Sequence, residues 1–106
     1  MVTAFGELDQ VLKALGDPVR REIVQHLAAE PLAVRPLAAR FDISRPAISR
    51  HLRILTDAGV LTRRRSGREN HYRVDPGALR PVERWLHSLW TGRLHALKTL
   101  VEEEAS

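Results

Sequence analysis

Apolar residues in the first part of the chain recur at helical spacing. Phe5, Leu8, Val11, Leu12 and Leu15 predict an amphipathic helix that stops at Gly16. Asp17-Pro18 follows, an N-cap with proline at the first helical position, so a second helix starts there. It places Val19, Ile23, Val24 and Leu27 on one side and Arg20, Arg21, Glu22 and Gln25 on the other, and Pro31 ends it. Val34, Leu37, Ala38 and Phe41 at i, i+3, i+4 and i+7 predict a third, short helix, with Pro36 near its start, where a missing N–H is tolerated. Asp42-Ile43-Ser44 is a short turn. Ser44 is placed to cap a fourth helix, from about Arg45 to Ala58, and Gly59 supplies a left-handed stop.

The period then changes. From Val60 to Val74 the pattern alternates, with Leu61 on one side of a turn and Tyr72 and Val74 on the other, and Ser66-Gly67 near the turn itself. This predicts a β-hairpin. Asp75-Pro76 is expected to open a last helix by the same capping logic as Asp17-Pro18. Val82, Leu86, Leu89, Trp90, Leu94, Leu97, Leu100 and Val101 give that helix an apolar stripe almost to the end of the chain. The expected fold is mainly α with one β-hairpin, in the order helix, helix, helix, turn, helix, hairpin, helix. With 106 residues and no internal repeat, residues 1–106 are expected to form a single domain.

Composition narrows the chemistry. Hydrophobic residues make up 43%, an ordinary globular share. No uncharged stretch approaches the length of a membrane span, no apolar core follows a basic N-terminus as in a signal peptide, and the cytoplasm is the expected compartment. Cysteine is absent, which excludes disulfides, thiolate-bound metals and thiol chemistry. No carboxylate pair, glycine-rich phosphate loop or nucleophile–base arrangement stands out, so no enzyme activity and no cofactor are expected. Ser49 and His51 do not make a hydrolytic pair, because residues two apart on a helix point in different directions.

Charge changes the picture most. The net charge is +4, but it is not evenly spread. Between Arg35 and Arg73 ten arginines face Asp42, Asp57 and Glu69, a local balance of +7; the remainder holds seven basic and ten acidic residues, a balance of −3. Arginine outnumbers lysine fifteen to two, which codon bias could produce; the clustering it could not. One segment carries the positive field, as expected where a chain meets a polyanion.

That segment contains a helix, a short turn and a second helix, the arrangement in which the second helix enters the DNA major groove. At about 100° per residue, Ile48, Leu52 and Leu55 fall on one inward face, while Pro46, Ser49, Arg50 and Arg53 fall opposite. Small residues there permit close approach to bases, and arginine's planar fork suits guanine or phosphate. An ordinary solvated face would look similar. His51, at the edge of the inward face, is either a boundary histidine bonded to nearby backbone or a phosphate or base contact. Beyond it, Arg63, Arg64, Arg65 and Arg68 flank Ser66-Gly67. Four arginines at a hairpin tip repel one another, and a wing lying on a phosphate backbone or in a minor groove resolves that conflict. A solubilising loop is the plain alternative.

The stretches LGDPVRREIVQHL, FDISRPAISRHLRILTDAGVL and RRRSGRENHYRV together resemble the ArsR (arsenic-repressor) family of bacterial winged helix-turn-helix regulators. The resemblance runs from the second helix through the hairpin, with SRPAISRHLRILTDAGVL its most specific part. It implies a homodimer paired through the first and last helices that binds inverted repeats in promoter DNA as a repressor. It also implies recognition-helix roles for Ser44, Arg45, Pro46, Ser49, Arg50 and His51, to which the computed outer face adds Arg53. Arg63 to Arg68 would form the wing. Phe5, Leu8, Val82, Leu86, Leu89, Trp90, Leu97 and Val101 would form the dimer interface, where Trp85 and Trp90 supply aromatic bulk.

Two departures stand out. Many family members sense metals through cysteines in an ELCVCDL-like stretch; this chain reads PLAVRPL, with Ala33 and Arg35 where the thiolates would be. A second family site uses Asp, His and Glu on the last helix. Here Glu83 and His87 are a helical turn apart and His95 follows, but the Asp-x-His start is missing. No metal is expected. A small organic ligand stacked between Trp85 and Trp90 has no convergent polar group to support it. A winged helix serving as a protein-interaction module, binding through an apolar or acidic patch, is the alternative function, and it would not need the +7 segment.

Overall fold

The computed structural model describes residues 4–105, apart from the side chains of residues 4, 5, 94 and 105. The expectation for Phe5 at a dimer interface therefore lies outside the described side chains.

Helix α1 (Ala4–Ala14) and helix α2 (Pro18–Ala29) are separated by a tight turn. Asp17 caps α2 as expected: its Oδ1 accepts from the backbone N–H of Val19 at 2.8 Å and of Arg20 at 3.3 Å, with Pro18 at the first helical position. Next comes a strand the hydrophobic pattern did not reveal, β1 (Leu32–Ala33), and then helix α3 (Val34–Ala38). The third helix is shorter than its spacing suggested. Phe41 lies past its end, where its ring meets that of His26 edge-on at 5.5 Å.

Helix α4 (Arg45–Asp57) begins under the Ser44 cap, whose Oγ accepts from the Ala47 N–H at 3.2 Å. It ends before Gly59, which adopts a left-handed φ of 81°. Strands β2 (Leu61–Ser66) and β3 (Glu69–Val74) form the hairpin, and β1 joins its far side to make a three-stranded antiparallel sheet in the order β1-β3-β2. Ser66 pairs with Glu69, so the loop is the two residues Gly67-Arg68. Gly67 has φ +64° and no non-glycine residue among those described has positive φ, the pattern of a type II′ turn.

Helix α5 (Arg80–Ala105) starts later than Asp75-Pro76 suggested. Asp75 Oδ1 accepts from the Gly77 N–H at 2.9 Å and its carbonyl from the Ala78 N–H at 3.0 Å, so the aspartate closes a turn instead of capping a helix.

The core lies between the helices and the root of the hairpin. Val11 and Ala14 of α1, Ile23 and Leu27 of α2, Leu37 of α3, Ile48, Leu52 and Leu55 of α4, and Val60-Leu61 form one buried cluster. The three inward α4 residues are fully buried, as the helical period predicts. Among the described residues beyond the hairpin, Leu79, just before α5, and Val82 on its first turn pack against this cluster. Beyond it, Trp85, Leu86, Leu89, Trp90, Leu97, Leu100 and Val101 stand 41–64% exposed. No helix among the described residues is long and apolar enough to cross a membrane.

Candidate nucleic-acid interface

The inward anchoring of α4 fixes what its other side presents. With Ile48, Leu52 and Leu55 seated in the core, Pro46, Ser49, Arg50 and Arg53 are exposed. They do not face open solvent alone. Together with Arg63 and Tyr72 of the hairpin they line one cleft of about 550 Å³. The sequence-predicted helix face and one wing arginine are thus parts of a single concave surface.

The wing arginines divide by strand alternation. Leu61, Arg63 and Arg65 share one face of β2, and Leu61 is buried, so this face turns toward the helices. Arg64, paired with His71, points the opposite way. Arg68 stands at the tip. The four arginines read as one cluster in the sequence therefore occupy three different positions.

Most of these cations are held by nothing. Among the described residues Arg45, Arg50, Arg53, Arg63, Arg64, Arg65 and Arg68 have no ion-pair or hydrogen-bond partner for their side chains. Arg40 differs: it donates to Glu30 Oε1 at 2.8 Å and lies 3.2 Å from His26 Nδ1, tying α2 to the turn after α3. One member of the arginine-rich segment is thus explained by the fold.

His51 departs from the first of its two readings, a bond to nearby backbone. It is half-buried, and its Nδ1 lies 3.3 Å from a guanidinium nitrogen of Arg20 rather than bonding to nearby backbone. Arg20 was expected on the solvated side of α2. Its side chain is in fact only 16% exposed, and it donates to the Ala14 carbonyl at 2.6 Å and the Lys13 carbonyl at 3.4 Å. These are the last carbonyls of α1, which have no partner within the helix. Arg20 thereby joins α1, α2 and the recognition helix. Its partner His51 is 31 residues away, so no local pattern signals the role. Asp17 completes the group, with Oδ2 4.0 Å from Arg20. Partial desolvation pushes its carboxyl upward. The N–H groups of Arg20 and Val19 and the charges of Arg20 and His51 outweigh that, and hold it below its ordinary 3.8.

Leu8 is 8% exposed within the single chain and Val82 is half-buried against the core, so both already serve the monomer. Leu86, Leu89, Trp90, Leu97 and Val101 remain open on α5. Among the described residues no three His, Asp or Glu side chains converge as a metal site would require. Ala33 is buried, and Arg35 presents an exposed positive charge, which repels a cation.

Comparison with known proteins agrees with this geometry. A family profile described as a helix-turn-helix domain matches residues 15–64. The chain is 38% identical over 103 residues to the HTH-type transcriptional regulator Rv2034 of Mycobacterium tuberculosis, covering 97% of this chain and 96% of that protein. It is 34% identical to the transcriptional repressor SdpR of Bacillus subtilis, over 74% of this chain and 88% of SdpR. Among solved structures, an ArsR-like transcriptional regulator from Rhodococcus sp. RHA1 superposes with a TM-score of 0.77 at 34% identity, over 91% of this chain and 93% of that one. The homodimeric winged helix-turn-helix DNA-binding domain Mb0332 of Mycobacterium bovis superposes with a TM-score of 0.66 at 26% identity, over 94% of this chain and 82% of that one. The chain belongs to the ArsR family of winged helix-turn-helix transcriptional regulators and is a regulator, not an enzyme.

Proposed function

We propose that the protein is a homodimeric repressor that binds an inverted-repeat operator in double-stranded DNA. The recognition helix, through Ser44, Arg45, Pro46, Ser49, Arg50, His51 and Arg53, reads the major groove. The wing, through Arg63, Arg64, Arg65 and Arg68, holds the phosphate backbone. One observation carries this reading: the outer face of α4 and Arg63 line a single cleft in which three arginines stand against one carboxylate, Asp57, and have no ion-pair or hydrogen-bond partner among the described residues. Unpaired cations on a concave surface match a polyanion.

Dimerisation rests on α5. Its stripe of Leu86, Leu89, Trp90, Leu97 and Val101 is more apolar surface than a small monomer leaves open, and Mb0332, a structural neighbour, is homodimeric. Two-fold symmetry then implies a roughly palindromic site with half-sites about one helical turn, or a small multiple, apart. No metal takes part in this scheme, because the positions that carry thiolates in metal-sensing relatives hold Ala33 and Arg35 here.

The test is selection of bound sequences from a random duplex pool, followed by anisotropy titrations of the selected site and a scrambled control. An enriched palindrome bound at least 1,000-fold more tightly than the control, about the lower bound for specific readers, is the expected result. Enrichment of no sequence would overturn the assignment. An affinity that shifts roughly tenfold with zinc, nickel or a chelator would overturn the metal-free part, since that is a coupling of about 1.4 kcal/mol.

A further inference from the structure

A second cationic cleft, of about 270 Å³, lies where α3, the start of α4 and the wing tip meet. Arg35, Arg45 and Arg68 line it, one from each element, with Glu69 and Asn70 as its other polar walls. It shares no residue with the cleft that runs along the outer face of α4. All three arginines are exposed, and among the described residues none has an ion-pair or hydrogen-bond partner. Glu69 is the one carboxylate present, with Oε2 3.7 Å from His71 Nε2. Three positive charges therefore stand against one negative. None of the three arginines belongs to the core cluster, so packing does not require their convergence.

The short strand β1 brings them together. Leu32 pairs with Tyr72 and Ala33 with His71, which docks the start of α3 beside the outer end of the hairpin. Arg35, two residues on, reaches the end of β3 that carries Glu69 and Asn70. The Gly67-Arg68 turn projects Arg68 at that same end, and the Ser44 cap starts α4 with Arg45. A guanidinium offers parallel N–H donors in a planar fork that matches the oxygens of a phosphate.

We propose that this cleft is a phosphate-binding site distinct from the base-reading surface. Arg35, Arg45 and Arg68 jointly seat one phosphate group: a backbone phosphate when duplex DNA is bound, and inorganic phosphate when it is not. The free anion then competes with DNA for each subunit. The backbone half of this proposal rests on the DNA-binding reading; the free-anion half does not. Arg35 lies on neither the recognition helix nor the wing, so it isolates the new site from the expected one.

Two measurements test it. In the first, inorganic phosphate is titrated into the nitrogen-15-labelled protein while arginine side-chain N–H signals are followed by NMR, with sodium chloride at matched ionic strength as control. The Arg35, Arg45 and Arg68 signals should move together and saturate, while those of Arg84 and Arg93 on α5 stay still. Arg35→Gln should abolish saturation at the other two, and Arg45→Gln should do the same. In the second, anisotropy reads duplex binding. Arg35→Gln should weaken selected and scrambled DNA by the same factor and lower the slope of log affinity against log salt by about one unit per subunit. Phosphate should inhibit the wild type more than chloride at equal ionic strength, and Arg35→Gln should lose that excess.

Equal movement of all arginines with phosphate, together with an unchanged salt slope in Arg35→Gln, overturns the site and leaves the DNA reading standing. Saturable phosphate shifts in a protein that binds no duplex uphold the free-anion site and overturn the DNA reading. Saturable shifts with an unchanged salt slope overturn the seat for a backbone phosphate.

Discussion

Arg20 on α2 lies 3.3 Å from Nδ1 of His51, and the same guanidinium group reaches the terminal carbonyls of α1. Helix α4 is therefore tied, through one side chain, to the end of α1. An arginine always donates, so in the neutral ring Nδ1 of His51 accepts and Nε2 carries the proton. His51 thus has a structural bond on one ring nitrogen and a donor available on the other.

Arg20→Met keeps the apolar stem and deletes the three hydrogen bonds and the pairing with Asp17. Charged hydrogen bonds of this kind are worth about 1.5–3 kcal/mol, so urea unfolding should show a loss of about that size. Operator affinity should fall as well, because the middle of α4, at His51, loses a support, while random-duplex affinity changes little. Unchanged stability would show that the network at Arg20 is incidental.

Asp17 gives a pH dependence with a definite sign. Its carboxyl is held below 3.8 in the folded chain, so the charged form favours folding. The contribution is fully present above the ordinary value and is lost as pH falls through the lowered one. Asp17→Asn keeps a cap oxygen for Val19 and Arg20 but removes the charge. The variant should be less stable than the wild type at neutral pH, and the gap should close in acid below about pH 3.8. A gap that stays constant from pH 7 to pH 2.5, two values taken only to bracket roughly the carboxylate range, would contradict the charge argument.

Arg50 and Arg64 should differ in kind. Arg50 sits in the α4 cleft, and Arg64 faces away from the helices. Arg50→Ala is expected to cost roughly 1–3 kcal/mol per half-site of the operator and to relax preference at one base pair of each half-site. Arg64→Ala should weaken selected and scrambled duplexes equally. Parallel losses from both variants on both duplexes would refute the division between reading and holding.

Salt dependence measures the wing as a whole. A dimer contacting about 6–10 phosphates gives a log–log slope of about −0.9 per contact. Replacing Arg63, Arg64, Arg65 and Arg68 together by alanine should flatten it by several units. The fold should survive, since the core cluster contains none of them. An unaltered slope would mean that the wing touches no phosphate.

Trp90 is 60% exposed in the single chain, so Trp90→Glu should leave the monomer folded. A tryptophan at an interface centre contributes about 2 kcal/mol or more, and sedimentation should show the variant dissociating at concentrations where the wild type is dimeric. Equal sedimentation of the two would place the interface elsewhere.

The parts of this molecule legible in the sequence are those set by neighbours along the chain. The inward row Ile48, Leu52 and Leu55 follows from helical period, and the Asp17 and Ser44 caps from residue type beside a proline. What stayed hidden depends on residues brought together from afar. The pair Leu32–Ala33 is too short to show an alternation and becomes a strand only by meeting Tyr72 and His71. Asp75 carries the same signal as Asp17, yet Gly77 diverts it into a turn. Arg20 and Arg35 look like ordinary surface charges until the fold sets one against His51 and the other beside Arg68. Candidate recognition residues were visible because they oppose a core face; their supports were not.

The bare length of α5 has a kinetic consequence. From Trp85 onward its described large apolar side chains stand 41–64% exposed in the single chain, apart from the core. If a second copy covers them, as proposed, the DNA-binding species is second order in the chain. At low abundance, halving the number of chains cuts the number of dimers to about a quarter, by mass action. Promoter occupancy then responds to synthesis and dilution more steeply than the chain's own level does. A cell that merely grows and divides without making more of this protein would release its operators abruptly, with no inducer required.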